Sequence, residues 1–155
     1  MARHPRKRKP ENLNYEHIIL PGPGFWTLPD LISCEGVERG RWTNILVVRA
    51  STYEHRHLAI PLLIPAVAAL VAAPPTVVPF ETLTPGRQIN PPEIGKTLEV
   101  VQLDHFVCFR VITDDFCIPE FLTGKGQHVA VPFSFEAYRQ LLAHLKAIST
   151  PTPQT

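Results

Sequence analysis

Arginine and aromatic side chains fall together on stretches that read as strands: Arg41, Trp42 and Arg49 in one, Phe106 and Arg110 in another, with Lys125 in a glycine-flanked turn. Flat rings offer bases a stacking surface worth about 1–3 kcal/mol each, and cations follow the phosphates, which together make a sequence-tolerant single-strand site. If Arg49 is matched with Arg110, Thr52 falls on Thr113, so the two arginines take corresponding places on corresponding strands. Alternation puts Arg110 on a face with Phe106 and Cys108, and Arg49 on a face with Thr43, Ile45 and Val47. Each arginine has a competing use in an ion pair with Glu38, Glu54 or Asp114, and Trp42 and Phe106 have one in core packing.

A second cationic group opens the chain. Residues 1–10 hold Arg3, Arg6, Lys7, Arg8 and Lys9, five of the 15 lysines and arginines, and no acid. The remaining 145 residues carry 10 basic against 14 acidic side chains, a charge of −4. Such an arm suits phosphates or a nuclear import receptor, and serves equally as a solubilising tail. The acidic body argues against phosphate binding by the strands, because phosphate contacts supply most non-specific affinity.

Groupings for catalysis are thin. His55 and His57 could chelate a metal from one strand face, and Cys108, Cys117, His105 and His128 could gather, but no pair has the spacing of a structural zinc site. Asp114 and Asp115 are adjacent on an extended chain and diverge, as do Asp104, His105 and Cys108. Gly95-Lys96-Thr97 has the ending of a phosphate loop, yet Asn90 stands where that motif's first glycine belongs. The reading is a non-enzyme with no metal and no cofactor. Three cysteines without a secretory leader point to reduced thiols in the cytoplasm or nucleus. The apolar run 58–73 is broken by Pro61 and Pro65 and too short for a bilayer, so no membrane partner is expected.

The elements that must position these residues include a module present twice. Moving His128-Val129-Ala130-Val131-Pro132-Phe133 back 71 positions lays it on His57-Leu58-Ala59-Ile60-Pro61-Leu62, and Ala137, Leu141 and Ala143 then fall on Ala66, Leu70 and Ala72. The period of two predicts a half-buried strand that its proline ends. Ser134 as N-cap, Glu136 in the first turn and Phe133 stapled onto Tyr138 predict a helix, with Tyr138, Leu141, Leu142, Leu145 and Ile148 on its packing face. The first copy's helix, Pro65 to Ala73, has no charged face, which predicts deeper burial than its counterpart.

Arg41 to Ser51 reads as a strand in a hairpin with Leu58 to Leu62. Leu98 to Leu103 and Phe106 to Thr113 read as two strands meeting at an Asp104-His105 turn, followed by an excursion from Phe116 to Lys125. With Arg49 on Arg110, the second copy contains a ten-residue insertion. His17 to Leu20 reads as a short strand, and Phe25 to Ile32 as a short strand or irregular packing. The 17 prolines imply stiff connectors. At 155 residues and 45% hydrophobic there is enough apolar material for one core. The expected organisation is a disordered basic arm (1–16), a single domain (17–148) of two repeats (17–73 and 97–148, joined by a linker 74–96), and a disordered tail (149–155). The fold class is α+β: two strand-rich repeats each ending in a helix, their antiparallel sheets forming an intramolecular pseudo-dimer.

The stretch GKGQHVAVPFSFEAYRQLLAHL, with its basic glycine turn, strand, proline stop and amphipathic helix, resembles the closing strand and helix of single-stranded nucleic-acid binders. These are the purine-rich-element-binding (PUR) proteins, the Whirly proteins and the coactivator positive cofactor four. The resemblance covers residues 40–73 and 97–148 and is one of hydrophobic pattern. It implies two strand-rich repeats with a terminal helix, and single strands lying across an exposed sheet on Arg41, Trp42, Arg49, Phe106, Arg110 and Lys125. The function so implied is a single-stranded DNA- or RNA-binding module that uses a sheet surface plus the arm. The alternative is a protein-interaction or structural subunit of a larger assembly whose arm touches nucleic acid. Sheet edges in so small a body also favour homo-oligomers.

Overall fold

The computed structural model describes residues 15–20, 22–39, 44–78, 89–90, 93–95 and 102–149. The fold is α+β and rich in sheet, with two helices among the described residues. In chain order the elements are β1 (His17–Ile19), β2 (Phe25–Thr27), β3 (Leu31–Arg39), β4 (Ile45–Thr52), β5 (His57–Leu63), α1 (Ile64–Ala72), β6 (Ile89–Asn90) and β7 (Glu93–Gly95). They continue as β8 (Leu103–Ile112), β9 (Phe116–Thr123), β10 (His128–Ala130), β11 (Phe133–Ser134) and α2 (Phe135–Ser149).

Two three-stranded meanders dominate. In the first, β4 pairs antiparallel with both β3 and β5; in the second, β9 pairs antiparallel with β8, β10 and β11. The meanders meet in parallel, through Leu62 beside Leu103 at one seam and Phe133 beside Leu31 at the other. Because β11 bonds both β3 and β9, the strands β3, β4, β5, β8, β9 and β11 close into a ring. Beyond β11 the sheet continues from β9 through β10 to β2 and β6. Pro132 divides β10 from β11, but pairing persists across the gap, with Leu28 N–H donated to Ala130 O at 3.0 Å and Leu31 N–H to Pro132 O at 2.8 Å.

The hairpin turns follow from residue type. Thr113 Oγ1 accepts from the amides of Asp115 and Phe116, a threonine turn that reverses β8 into β9. His55, at φ 63°, takes the left-handed position of the β4–β5 turn.

The repeated string is extended in both places and buried along Leu58 to Leu62 and Val129 to Phe133. The 71-residue offset reaches further than the string. It carries the bounds of β4 onto those of β9, the start of β5 onto that of β10, and the start of α1 onto that of α2. The ten-residue insertion is therefore absent, and Arg49 lands on Glu120 instead of Arg110. The excursion from Phe116 is in fact strand β9, and β8 runs through Asp104-His105 where a turn was expected. A register shift between Leu103 and His105 explains the mimicry, since a bulge places polar residues where a turn would have them. β3 was not anticipated as a nine-residue strand. Its buried residues, Leu31, Cys34 and Val37, recur every third position, because bulges at Leu31/Ser33 and Cys34/Gly36 spoil the period of two. Pro61 lies inside β5 rather than at its end, beside a seam one pair wide where its missing amide proton has little ladder to break.

The helix cap forms as expected. Ala137 N–H donates to Ser134 Oγ at 3.0 Å, and the Phe133 and Tyr138 rings lie 5.7 Å apart. Ala137, Leu141 and Leu145 bury the inner face, and Gln140 and His144 bond the amide and carbonyl of Cys34 at 2.8 and 3.2 Å. Those backbone groups belong to a β3 bulge, so α2 satisfies what the irregular ladder leaves over. α1 departs from expectation: only Ala66, Val67 and Leu70 are buried, while Pro65, Ala68, Ala69, Val71 and Ala72 are exposed.

Tyr15 and Glu16, placed in the disordered arm by sequence, are bonded into the body. Glu16 exchanges backbone hydrogen bonds with His57 and Ala59, and its carboxylate takes Arg56 Nη2 at 2.6 Å. Ser149, expected in the tail, ends α2. The linker contributes β6 and β7, which pair with β2 and β1. No helix among the described residues is long and apolar enough to cross a membrane.

The cysteines report on this packing. Burial pushes the Cys34 and Cys117 thiols up to about 12, and burial also raises Cys108, which is only partly covered. A thiol reagent near neutral pH will label Cys108 first and reach Cys34 and Cys117 only on unfolding, as mass spectrometry of partly labelled protein will show. The folded chain holds protons that the unfolded chain releases above its ordinary thiol pKa of 9.0, so stability is intact below pH 9 and falls toward 12. Urea titrations between about pH 8 and pH 11 will show the midpoint declining.

Candidate interaction groove between the two helices

The residues singled out for single-strand binding do not come together. Arg3, Arg6, Lys7, Arg8, Lys9, Arg41 and Trp42 lie outside the described residues. Arg49 is on β4 and Arg110 on β8, with β5 between them in the sheet. Arg49 pairs with Glu38, the competing use anticipated for it, and its guanidinium lies 5.1 Å from the centre of the Tyr15 ring. The Tyr15 hydroxyl donates to Glu35 at 2.8 Å, and burial, with that bond second, pushes its pKa up. Phe106 is half-buried and packs edge-on against Phe109 and Phe121 at 5.2 and 5.8 Å, so it serves the core. Lys125 is exposed in the β9–β10 turn, which Gly126 closes at φ 80°.

Arg110 departs furthest from its predicted role. Only 6% of its side chain is exposed; Nε donates to Glu120 Oε1 at 2.6 Å and Nη1 to Val78 O at 3.1 Å. Glu120 is wholly buried, and its other oxygen receives His128 Nδ1. The Cys108 thiol approaches Oε1 at 3.8 Å, and the Phe25 ring stacks on His128 at 6.1 Å. A buried carboxylate is tolerable only with such donors around it. His57, 71 positions before His128, likewise turns Nδ1 to a carboxylate, Glu35 at 3.2 Å. The repeated histidines thus hold strand starts to neighbouring acids. Among the described residues no three His, Cys, Asp or Glu side chains gather as a metal would need.

Of the seven lysines and arginines with described side chains, at least four are tied to carboxylates: Arg49, Arg56, Arg110 and Arg139. Arg39 and Lys146 share another setting. They flank a groove of about 620 Å³ between α1 and α2, floored and walled by Leu46, Ile64, Val67, Val71, Leu142 and Leu145. Among the described residues, every lining side chain apart from the two cations is aliphatic. Val71 is 56% exposed and Leu142 37%, so the walls are wet.

The groove has a local cause. α1 carries no polar side chain, so whichever face it turns outward is apolar. On α2 the apolar stripe is wider than the surface it packs on, leaving Leu142 at the margin. Sequence reasoning missed this site although the signal was present, because a helix with no charged face was read as more deeply buried than its counterpart. Compared with known proteins, the chain matches no family model, no curated protein and no solved structure.

The Arg110–Glu120 pair makes a stability test. Arg110→Met leaves a buried carboxylate without its cation and will cost about 3–5 kcal/mol in urea unfolding, while Arg110→Met with Glu120→Met will recover most of the loss. A double variant as unstable as the single one would show that the pair is not what the site depends on.

Proposed function

We propose that this chain is a protein-interaction subunit of a larger assembly, docking a partner in the groove between α1 and α2, with its basic arm as a separate contact to nucleic acid. The observation that carries the reading is the apolar groove itself: large aliphatic side chains stand in water where nothing in the chain's own core needs them. The ion pairs of Arg49 and Arg110 weigh against single strands lying on the sheet, since a phosphate would have to displace a carboxylate from each. The nucleic-acid reading rests instead on Arg3, Arg6, Lys7, Arg8 and Lys9, a run without an acid. We also read the two strand-rich units as copies of one module arranged as a pseudo-dimer, on the strength of the common 71-residue offset. That arrangement sets the two helices to follow equivalent strands, and the groove then falls between like elements.

A photoreactive side chain at Val71 or Leu142 will give protein adducts of defined mass in cells, and one at Tyr53, also exposed but remote in sequence on the β4–β5 turn, will not. Equal adducts at all three positions would remove the groove as a docking face. For the arm, fluorescence anisotropy with single-stranded oligonucleotides at several salt concentrations will show affinity that disappears on deleting residues 2–9. Affinity that survives the deletion and weakens in Arg49→Ala with Arg110→Ala would restore the sheet as the site.

A further inference from the structure

We infer that residues 15–19 form a latched strap that lifts off β5 as a unit while the ring stays closed, releasing the root of the basic arm. This depends neither on the groove nor on what the arm contacts. The strap's attachment is narrow. β1 pairs with β7 in a sheet of its own, and two strands alone are marginally stable. Among the described residues the strap's backbone bonds to the ring run through Glu16, whose N–H donates to His57 O at 2.8 Å and whose carbonyl accepts from Ala59 N–H at 2.9 Å. Two side-chain ties latch it from outside. The Tyr15 hydroxyl donates to Glu35 at 2.8 Å, and Arg56 Nε and Nη2 donate to the Glu16 carboxylate at 3.0 and 2.6 Å. Ile18 anchors the strap in the core, and Gln127 Nε2, donating to Leu20 O and Gly22 O at 3.2 and 2.8 Å, holds the hinge behind it.

Two orphaned nitrogens make the closed strap ready to open. Among the described residues, the buried side-chain nitrogens without a hydrogen-bond partner are His17 Nδ1 and Arg49 Nε. His17 belongs to the strap, and the Arg49 guanidinium lies against the Tyr15 ring. A buried polar atom with no partner bears its whole desolvation cost. Both costs fall on the closed state, and both nitrogens regain water when the strap lifts. Lifting also bares the His57 carbonyl and the Ala59 amide on the edge of β5. It adds residues 15–19, about 17 Å of extended chain, to the reach of the cationic run at positions 3–9.

Amide hydrogen exchange of the full chain, read residue by residue by NMR in low urea, tests this. Corrected for intrinsic rates, the Ala59 amide will exchange at least ~10-fold faster than that of Val48, which is laddered on both sides in β4. Its rate will barely respond to urea, because a lifting strap exposes little surface, while the rate of Val48 will climb steeply. Leu145→Val, in the groove wall beside Leu46 and so at the other end of β4 from Ser51 and His57, will speed Val48 by ~3-fold or more and leave Ala59 unmoved. Tyr15→Phe and Arg56→Gln will each speed Ala59 about 2–5-fold. His17→Leu, which removes an orphaned nitrogen, will slow it about 5-fold, a gain that damage to the structure would not produce.

Ala59 and Val48 exchanging in step across the urea series, and both accelerating in Leu145→Val, would overturn the inference, since the strap would then open only with the ring. Ala59 exchange indifferent to both Tyr15→Phe and Arg56→Gln would remove the latch. Faster exchange in His17→Leu would show that the histidine holds the strap down, and would overturn its readiness to lift.

Discussion

Phe133 bonds to Leu31 on one side and to Cys117 on the other, and with that double attachment the sheet of this protein returns on itself. The rest of the architecture follows from closure. A six-strand ring is narrow enough to be filled by its own side chains, so α1 and α2 stand outside it. Residues such as Phe121, Leu103, Ile60 and Val48 make one core with the inner faces of the helices. On the outer surface of the helices Val71 and Leu142 stand exposed.

Charge placement points the same way. Arg110 and Glu120 lie inside, where each depends on the other, and Arg49 and Arg56 of the β4–β5 region are engaged by Glu38 and Glu16. A body with 10 basic against 14 acidic side chains has little long-range attraction for phosphates. Arg39 and Lys146 lie beside aliphatic surface at the groove.

Much of this was legible from local chemistry. Ser134, Glu136 and the Phe133–Tyr138 staple marked the start of α2, and the alternation in His128 to Val131 marked β10, because both signals act within a few residues. The failures have one physical cause: each involved chain geometry set by distant partners. β3 lost its period through bulges whose stray amide and carbonyl at Cys34 are satisfied by Gln140 and His144, more than 100 positions away. β8 was cut at Asp104-His105 by another bulge. The equivalence of Arg49 and Arg110 rested on residue identity, whereas the backbone sets Arg49 against Glu120. At the groove, the composition of α1 showed that it has no polar face, but only its packing shows that one face is left uncovered.

Closure also imposes an order in time. The outer edge of β3 receives its neighbour only when Phe133 has been made, 102 positions after Leu31. At ribosomal speeds of about 5–20 residues per second that is an interval of roughly 5–20 s. For the last 61 of those positions, from Ala72 to Phe133, the nascent chain carries one finished meander with a bare hydrogen-bonding margin and an uncharged helix beside it, the state in which a chaperone or a neighbouring nascent copy would find the most to hold.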